Sequence, residues 1–252
     1  VFDTAFHQSL SEVYYLYPLS WDYYHKYGLR KYGFHGTSHL YVSGIMREIM
    51  GNPEHSKIIV CHLGNGASIS AVQNGKVVDT SMGLTPLAGV MMGTRTGDID
   101  PAAAFYVMEK RGLDLKGIDT RMNKQSGIKG IFGPSSDFRD LASEMEKGNE
   151  RAILAYDMFC YKIKSYIGAY VAAMNGVDAI AFTGGIGENA FYARRDICND
   201  LTFLGIKLDD EKAGEWLPGN VEITTKDSKV KVYKIETAEE LVIARDTYRL
   251  TK

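Results

Sequence analysis

Residues 57–80 constrain the fold of this chain more than any other stretch. Val60-Cys61-His62-Leu63 is apolar except for His62, and Ser68-Ile69-Ser70-Ala71-Val72 alternates, so two strands are expected. Between them, Gly64-Asn65-Gly66 lacks a Cβ at two of its three positions. Such a turn can take positive φ and aim its N–H groups at an anion. An ordinary hairpin needs the same residues, and taken alone the turn favours that simpler reading. Gln73-Asn74-Gly75-Lys76 is a second turn signal of type I′, and Val77-Val78-Asp79-Thr80 continues as a third strand. Three strands joined by tight turns make an antiparallel meander. A dinucleotide-binding βαβ unit is thereby disfavoured, because a helix would have to follow the glycines.

Around the meander the periodicity changes to helical. Val42, Ile45, Met46 and Ile49 mark one face of a helix over 38–50, stopped by Gly51. Ahead of it, aromatic residues crowd positions 14–34, which reads as a packed layer. Basic residues are too sparse there for a base-stacking platform. Residues 82–100 form an irregular stretch rich in Gly and Thr, a length that is usually functional inside a compact domain. Asp100-Pro101 opens a helix ending near Gly112, and Ser136 is positioned to cap another over 137–147. Ala152, Tyr156, Phe159, Ile163, Ile167, Tyr170 and Met174 recur at spacings of three and four, giving a long helix over 150–175 with one buried face. Residues 178–183 are too short and apolar for a helix and read as a buried central strand. Gly184-Gly185-Ile186-Gly187-Glu188-Asn189 follows as a turn into a helix from Ala190. Strands over 221–225 and 230–235 lead to a final helix over 237–250, with Thr237 and Glu240 at capping-box spacing. Strands first, then helices around a later strand, predict an α/β fold with a mixed sheet flanked by helices.

Composition narrows the function. The 252 residues suffice for one large domain or two small ones. A net charge of −2 argues against a sequence-independent hold on nucleic acid. Cys61, Cys160 and Cys198 are far apart, with no metal spacing, and read as reduced thiols of a cytoplasmic protein. No apolar run reaches the ~18 residues of a membrane span, and no signal peptide is visible. Val1-Phe2-Asp3-Thr4-Ala5-Phe6-His7 starts without Met in a strand-like run, as the middle of a longer chain would.

Several residues carry chemistry. Gly184-Gly185-Ile186-Gly187 leads from a buried strand into a helix, where N–H groups suit an anion, although close strand–helix packing would use the same glycines. Arg95, between Thr94 and Thr96, offers several donors to phosphoryl oxygens. His35 and His39 are four apart, but no Glu of the zincin pattern lies between them and no third ligand is near, so zinc is disfavoured. Asp3 sits at the end of the expected strand, where a carboxylate often meets Mg²⁺ or a nucleophile.

These segments, with Gly33-Phe34-His35-Gly36-Thr37-Ser38-His39 and His62-Leu63-Gly64-Asn65-Gly66-Ala67-Ser68, resemble the acetate kinase family in order and over almost the whole chain. That family belongs to the acetate and sugar kinase, Hsp70 and actin superfamily. The resemblance implies a ribonuclease-H-like, actin-like ATPase domain and reversible phosphoryl transfer from ATP to acetate, giving acetyl phosphate and ADP. It implies catalytic roles for Asp3, His35 and Arg95. His62, Leu63, Gly64, Asn65 and Gly66 match the phosphate-binding hairpin. Asp137, Phe138 and Arg139, with Gly185, Ile186, Gly187, Glu188 and Asn189, match nucleotide-binding segments. Phe34 and Pro86 match walls of a small methyl pocket. Glu239 and Asp3 match the carboxylates associated with Mg²⁺ (or Mn²⁺), whereas Glu240 is expected to be the capping residue.

The family's first half has no counterpart here, including its phosphate-binding strand pair, a Mg²⁺-associated asparagine and a substrate-binding arginine. The expected division is therefore a second acetokinase domain over 1–236 and a terminal helix over 237–252 that packs on a missing first domain. A homodimer is implied, with no membrane or nucleic-acid partner. Propionate or butyrate kinase is the sister alternative. For the isolated chain, a non-catalytic nucleotide-binding or dimerising module with little activity is expected.

Overall fold

A computed structural model describes residues 2–251. Its centre is one six-stranded sheet in the order β3-β2-β1-β4-β6-β5. The strands are β1 (Lys57–Leu63), β2 (Ala67–Gln73), β3 (Lys76–Thr80), β4 (Ala179–Thr183), β5 (Val221–Glu222) and β6 (Lys231–Lys234). The meander forms as its turns require: β1 pairs antiparallel with β2 from Lys57↔Gln73 to Leu63↔Ala67, and β2 pairs antiparallel with β3. Asn74 and Gly75 both take positive φ, 53° and 78°, as type I′ geometry demands. β4 then enters parallel to β1, and β6 parallel to β4. Three antiparallel strands followed by parallel ones is the ribonuclease-H-like order, and the short β5 closes the edge antiparallel to β6.

β4 is buried at all five positions, so both sheet faces are covered, as an apolar run without alternation predicts. The long helix Glu150–Met174 covers one face. Its seven periodic residues are all buried, and Phe159 and Ile163 are fully so. They pack with Ile59, Cys61, Ile69, Ile180 and Phe182 in the main core, where truncating Phe159 to alanine would cost about 3–5 kcal/mol. The helix Gly36–Ile49 covers the other face through Val42 and Met46, packed on Ile58, Val60 and Ala181. Ile49, expected on that buried face, is instead 43% exposed at the helix end.

Several local expectations are corrected. Ala5–Ser9 is a 3-10 helix rather than a strand, because its amide groups are spent on local turn bonds such as His7 N–H to the Thr4 carbonyl, 3.2 Å. Val1, which would begin that strand, and Lys252, which would end the terminal helix, lie outside the described residues. The aromatic segment is two short helices, Glu12–Tyr15 and Trp21–Tyr27, with Tyr15 buried and Trp21, Tyr23 and Tyr27 exposed. Asp137, not Ser136, caps the helix Phe138–Glu146 by accepting from the Arg139 N–H at 2.8 Å. Gly184–Asn189 is itself a helical turn before Phe191–Asn199. The sequence reading missed the helix Leu115–Lys124, although Leu115, Ile118 and Met122 recur at helical spacing, and the helix Gly127–Phe132, which is too short to show a period.

Among the described residues no helix is long and apolar enough to cross a membrane. All three cysteines are free and buried.

Candidate active site

The C-terminal ends of β1 and β4 present the site. Asp3 stands at the N-terminus of the helix Gly36–Ile49. Its carboxylate accepts from the His35 N–H at 2.7 Å, and its carbonyl accepts from the Gly36 N–H at 2.8 Å. His35 is the residue before that helix and adopts the left-handed conformation, φ 57° and ψ 29°. This uncommon geometry for a non-glycine residue is held by the Asp3 contacts and turns the imidazole toward the hairpin. The Arg95 guanidinium arrives from the opposite side, where Nη1 donates to the Pro86 carbonyl at 3.3 Å. A Cβ at Gly66 would lie 3.1 Å from Arg95 Nη1 and 3.6 Å from His35 Nε2. The bare glycine therefore leaves a gap between the guanidinium and the imidazole.

The loop over 81–100 is irregular but tied down. Gly93 N–H donates to the Asn65 carbonyl at 3.2 Å, and Ser126 N–H to the Thr94 carbonyl at 3.0 Å. The Asp98 carboxylate accepts from the Gly89 N–H at 2.8 Å and, more closely, from the Tyr166 hydroxyl. Arg95 is thus fixed by main-chain bonds on both sides.

Behind the gap at Gly66 lies a polar layer of histidines and hydroxyl residues. Ser68 Oγ lies 2.9 Å from His35 Nδ1 and 2.7 Å from His39 Nε2. His62 Nδ1 pairs with Ser38 Oγ at 2.8 Å, which also meets Thr237 Oγ1 at 3.1 Å. His62 stacks on His35 with ring centroids 4.2 Å apart. Burial lowers the pKa of each imidazole: His62 falls to about 3, His7 to about 4 against a smaller opposing pull from Asp3, and His35 and His39 fall as well. These rings are neutral near pH 7.

Glu239 begins the helix Glu239–Thr251. Burial raises its pKa, and the neighbouring Asp3 carboxylate raises it further. Two carboxylates close enough to repel are a fitting donor set for a divalent cation. Among the described residues no group of three or more His, Cys, Asp and Glu is placed to enclose a metal. A cation here would draw its other ligands from water and phosphate, as Mg²⁺ commonly does.

Beside this cluster opens a cavity of about 890 Å³ lined by Gly64, Asn65, Asp137, Phe138, Arg139, Gly185, Ile186 and Asn189. The three segments expected to bind nucleotide thus meet on one cavity. Arg139 donates through Nε and Nη2 to both oxygens of the Asp137 carboxylate, which lowers the Asp137 pKa to about 2.

Other expected residues are placed elsewhere. Leu63 is buried in the core, and Gly187 packs against Phe182. The Glu188 carboxylate turns inward, accepting from the Gly184 N–H at 3.1 Å and the Thr237 N–H at 3.0 Å. Thr237 is therefore engaged by Glu188 and Ser38, and no capping box with Glu240 forms. Phe34 packs against the main core. Sequence reasoning missed Ser135, Ser143 and Tyr192 on the cavity wall. It also missed Ser68 and Ser38, which look like ordinary polar positions of a strand and a helix until their partners are in place.

The acetokinase family model matches residues 1–245. The chain is 63% identical to acetate kinase of Fusobacterium nucleatum and 55% identical to that of Bacteroides thetaiotaomicron, matching over its whole length and spanning 63% of each relative. The acetate kinase structure from Porphyromonas gingivalis superposes with a TM-score of 0.97 at 48% identity, covering 100% of this chain and 63% of that one. A propionate kinase structure from Francisella tularensis gives 0.91 at 42% identity, covering 98% and 62%. The meander, the neutral histidines beside Arg95 and the adjoining cavity sit in a chain that belongs to the acetokinase family.

Proposed function

We propose that the protein containing this chain transfers the γ-phosphoryl group of ATP to acetate, reversibly, forming acetyl phosphate and ADP. The observation that carries this reading is the convergence of His35 and Arg95 on the open gap at Gly66, beside the cavity. Gly64 and Asn65 line that cavity, so a nucleotide held along Arg139, Ile186 and Asn189 would bring its phosphates to the hairpin. Acetate is already ionised at neutral pH, and no proton has to leave before attack. Its oxygen forms the new bond to phosphorus as the bond to the ADP oxygen breaks. The task is alignment and stabilisation of spreading charge, which suits a guanidinium and a neutral imidazole fixed on a tied loop and a helix start. Asp3, committed to the His35 N–H, positions rather than deprotonates. Asp3 and Glu239 would hold Mg²⁺ (or Mn²⁺), whose charge would offset that of the phosphates.

Arg95→Ala in the full-length protein is expected to lower kcat by about a thousandfold or more while the fold persists. Near-normal turnover would refute the assignment. The likeness to a propionate kinase favours a second reading with propionate or butyrate as acceptor, which turnover on the three acids decides. This chain alone supplies one wall of the site and is expected to bind ATP or ADP weakly with little turnover. The division into 1–236 and a helix 237–252 packing on a further domain belongs to the proposal, supported by exposed Leu241, Ile243 and Leu250. So does a homodimer, supported by exposed Phe105, Tyr106, Leu154 and Tyr161. Free buried cysteines fit a cytoplasmic setting.

A further inference from the structure

The geometry points to Ser68, with His39 behind it, as a positioning pair that fixes which nitrogen of His35 carries the proton. This rests on the phosphotransfer reading only for its functional consequence.

Ser68 Oγ stands between His35 Nδ1 and His39 Nε2, at 2.9 and 2.7 Å. A hydroxyl has one proton to give and lone pairs with which to accept. Ser68 is fully buried, and these two nitrogens are its hydroxyl's partners among the described residues. If both rings donated to it, the serine proton would be buried with nothing to receive it. One ring must therefore donate and the other accept.

His39 decides which. Its ring is fully buried, and Nδ1 has no partner. A proton on Nδ1 would be a buried, unpaired N–H, whereas an unpaired acceptor there is the more tolerable arrangement. The proton of His39 therefore sits on Nε2 and is donated to Ser68. Ser68 in turn donates to His35 Nδ1. A neutral imidazole whose Nδ1 accepts must hold its own proton on Nε2.

That nitrogen faces the gap at Gly66. The position a Cβ would take there is 3.6 Å from His35 Nε2 and 3.1 Å from Arg95 Nη1. The relay thus presents an N–H beside a guanidinium, two donors toward one anionic oxygen. Without it, neutral His35 would exchange tautomers and part of the time aim a lone pair at the same oxygen.

Nitrogen-15 NMR of the histidine rings in this chain tests the inference directly. The expected signature of His35 is a protonated Nε2 and an unprotonated Nδ1. Ser68→Ala, a near-isosteric change, should shift both nitrogens to averaged values. His39→Leu should do so as well, whereas His39→Gln, which keeps an amide donor toward Ser68, should restore the wild-type signature. In the full-length protein Ser68→Ala should lower kcat about tenfold with the nucleotide KM unchanged, less than the roughly hundredfold loss expected when a donor is deleted outright. A wild-type His35 protonated on Nδ1, or a signature unmoved by Ser68→Ala, would overturn the inference. Averaged tautomers with undiminished kcat would overturn its functional part. An Arg95→Ala variant with normal turnover would instead remove the phosphotransfer reading and leave the tautomer result standing.

Discussion

Gly66→Ala separates a hairpin that is only a turn from one that faces a phosphoryl group. Gly66 is not among the residues with positive φ, so alanine adds no backbone strain there. Its methyl would meet Arg95 Nη1 at 3.1 Å, the far end of a flexible side chain, and His35 at 3.6 Å. A few tenths of an ångström of yielding suffices, and the stability change should stay within about 0.5 kcal/mol. The same methyl fills the gap between the two donors. An oxygen displaced by about 1 Å from its productive position costs roughly a hundredfold in rate, or about 2.7 kcal/mol of transition-state stabilisation. Gly184→Ala is the control. Gly184 has φ +76°, and its Cβ would lie 2.8 Å from the Leu63 carbonyl oxygen, inside the paired β1 strand. Left-handed strain of about 1–2 kcal/mol and overpacking of about 1–3 kcal/mol should together lower the urea midpoint markedly. Urea unfolding of both variants, with turnover of the full-length protein, completes the comparison. Normal turnover in Gly66→Ala would return the hairpin to a mere turn, and destabilisation equal to that of Gly184→Ala would show its glycine to be structural.

Two further outcomes follow from the buried polar groups. His7, lowered to about 4 in the folded chain by burial, binds a proton more readily when unfolded, so stability is complete above about pH 6.5 and is lost as pH falls toward 4. By pH 5 the loss from His7 alone is about 2 kcal/mol, and His62 acts in the same direction. Urea midpoints at pH 8 and pH 5 check this, and a midpoint that rises on acidification would contradict it. Glu188→Ala strips the acceptor from the Gly184 and Thr237 N–H groups, costing about 2–3 kcal/mol. It should also raise the Mg²⁺ concentration needed for half-maximal turnover, because Glu239 follows Thr237 by two residues. Glu188→Gln keeps an oxygen acceptor and should do less of both. An unchanged Mg²⁺ requirement in Glu188→Ala would show that Glu188 does not hold Glu239 in place.

What could be read in the sequence depended on whether the deciding interaction was local. The meander, the type I′ turn at Asn74-Gly75 and the long helix are set by period and by φ preference within a few residues, and they stand as read. Residues 1–7 read as a strand-like run, yet nothing in their composition reveals that the amides from Ala5 onward are spent on local turn bonds. The terminal helix carried a capping signature at Thr237 that is unused, because Glu188, distant in sequence, takes the same N–H group. The cavity segments were recognisable by resemblance. The serines behind the histidines were not, since a serine facing inward from a strand looks like any alternating polar position until its partners are in place.

Those partners explain why the hairpin carries so much of the site. Gly64 and Asn65 line the cavity, the Asn65 carbonyl accepts from Gly93 two residues before Arg95, and Gly66 faces His35 and Arg95. One three-residue turn touches the cavity wall, the arginine loop and the histidine at once. The bond from Gly93 N–H to the Asn65 carbonyl couples the turn to the arginine loop, so a displacement of one is passed to the other. The fixed partners then are the histidines, which belong to the sheet and the helix behind it. A buried layer behind a turn bonded to the arginine loop holds the spacing of imidazole and guanidinium, which is what the proposed transfer, dependent on alignment rather than on proton removal, would require.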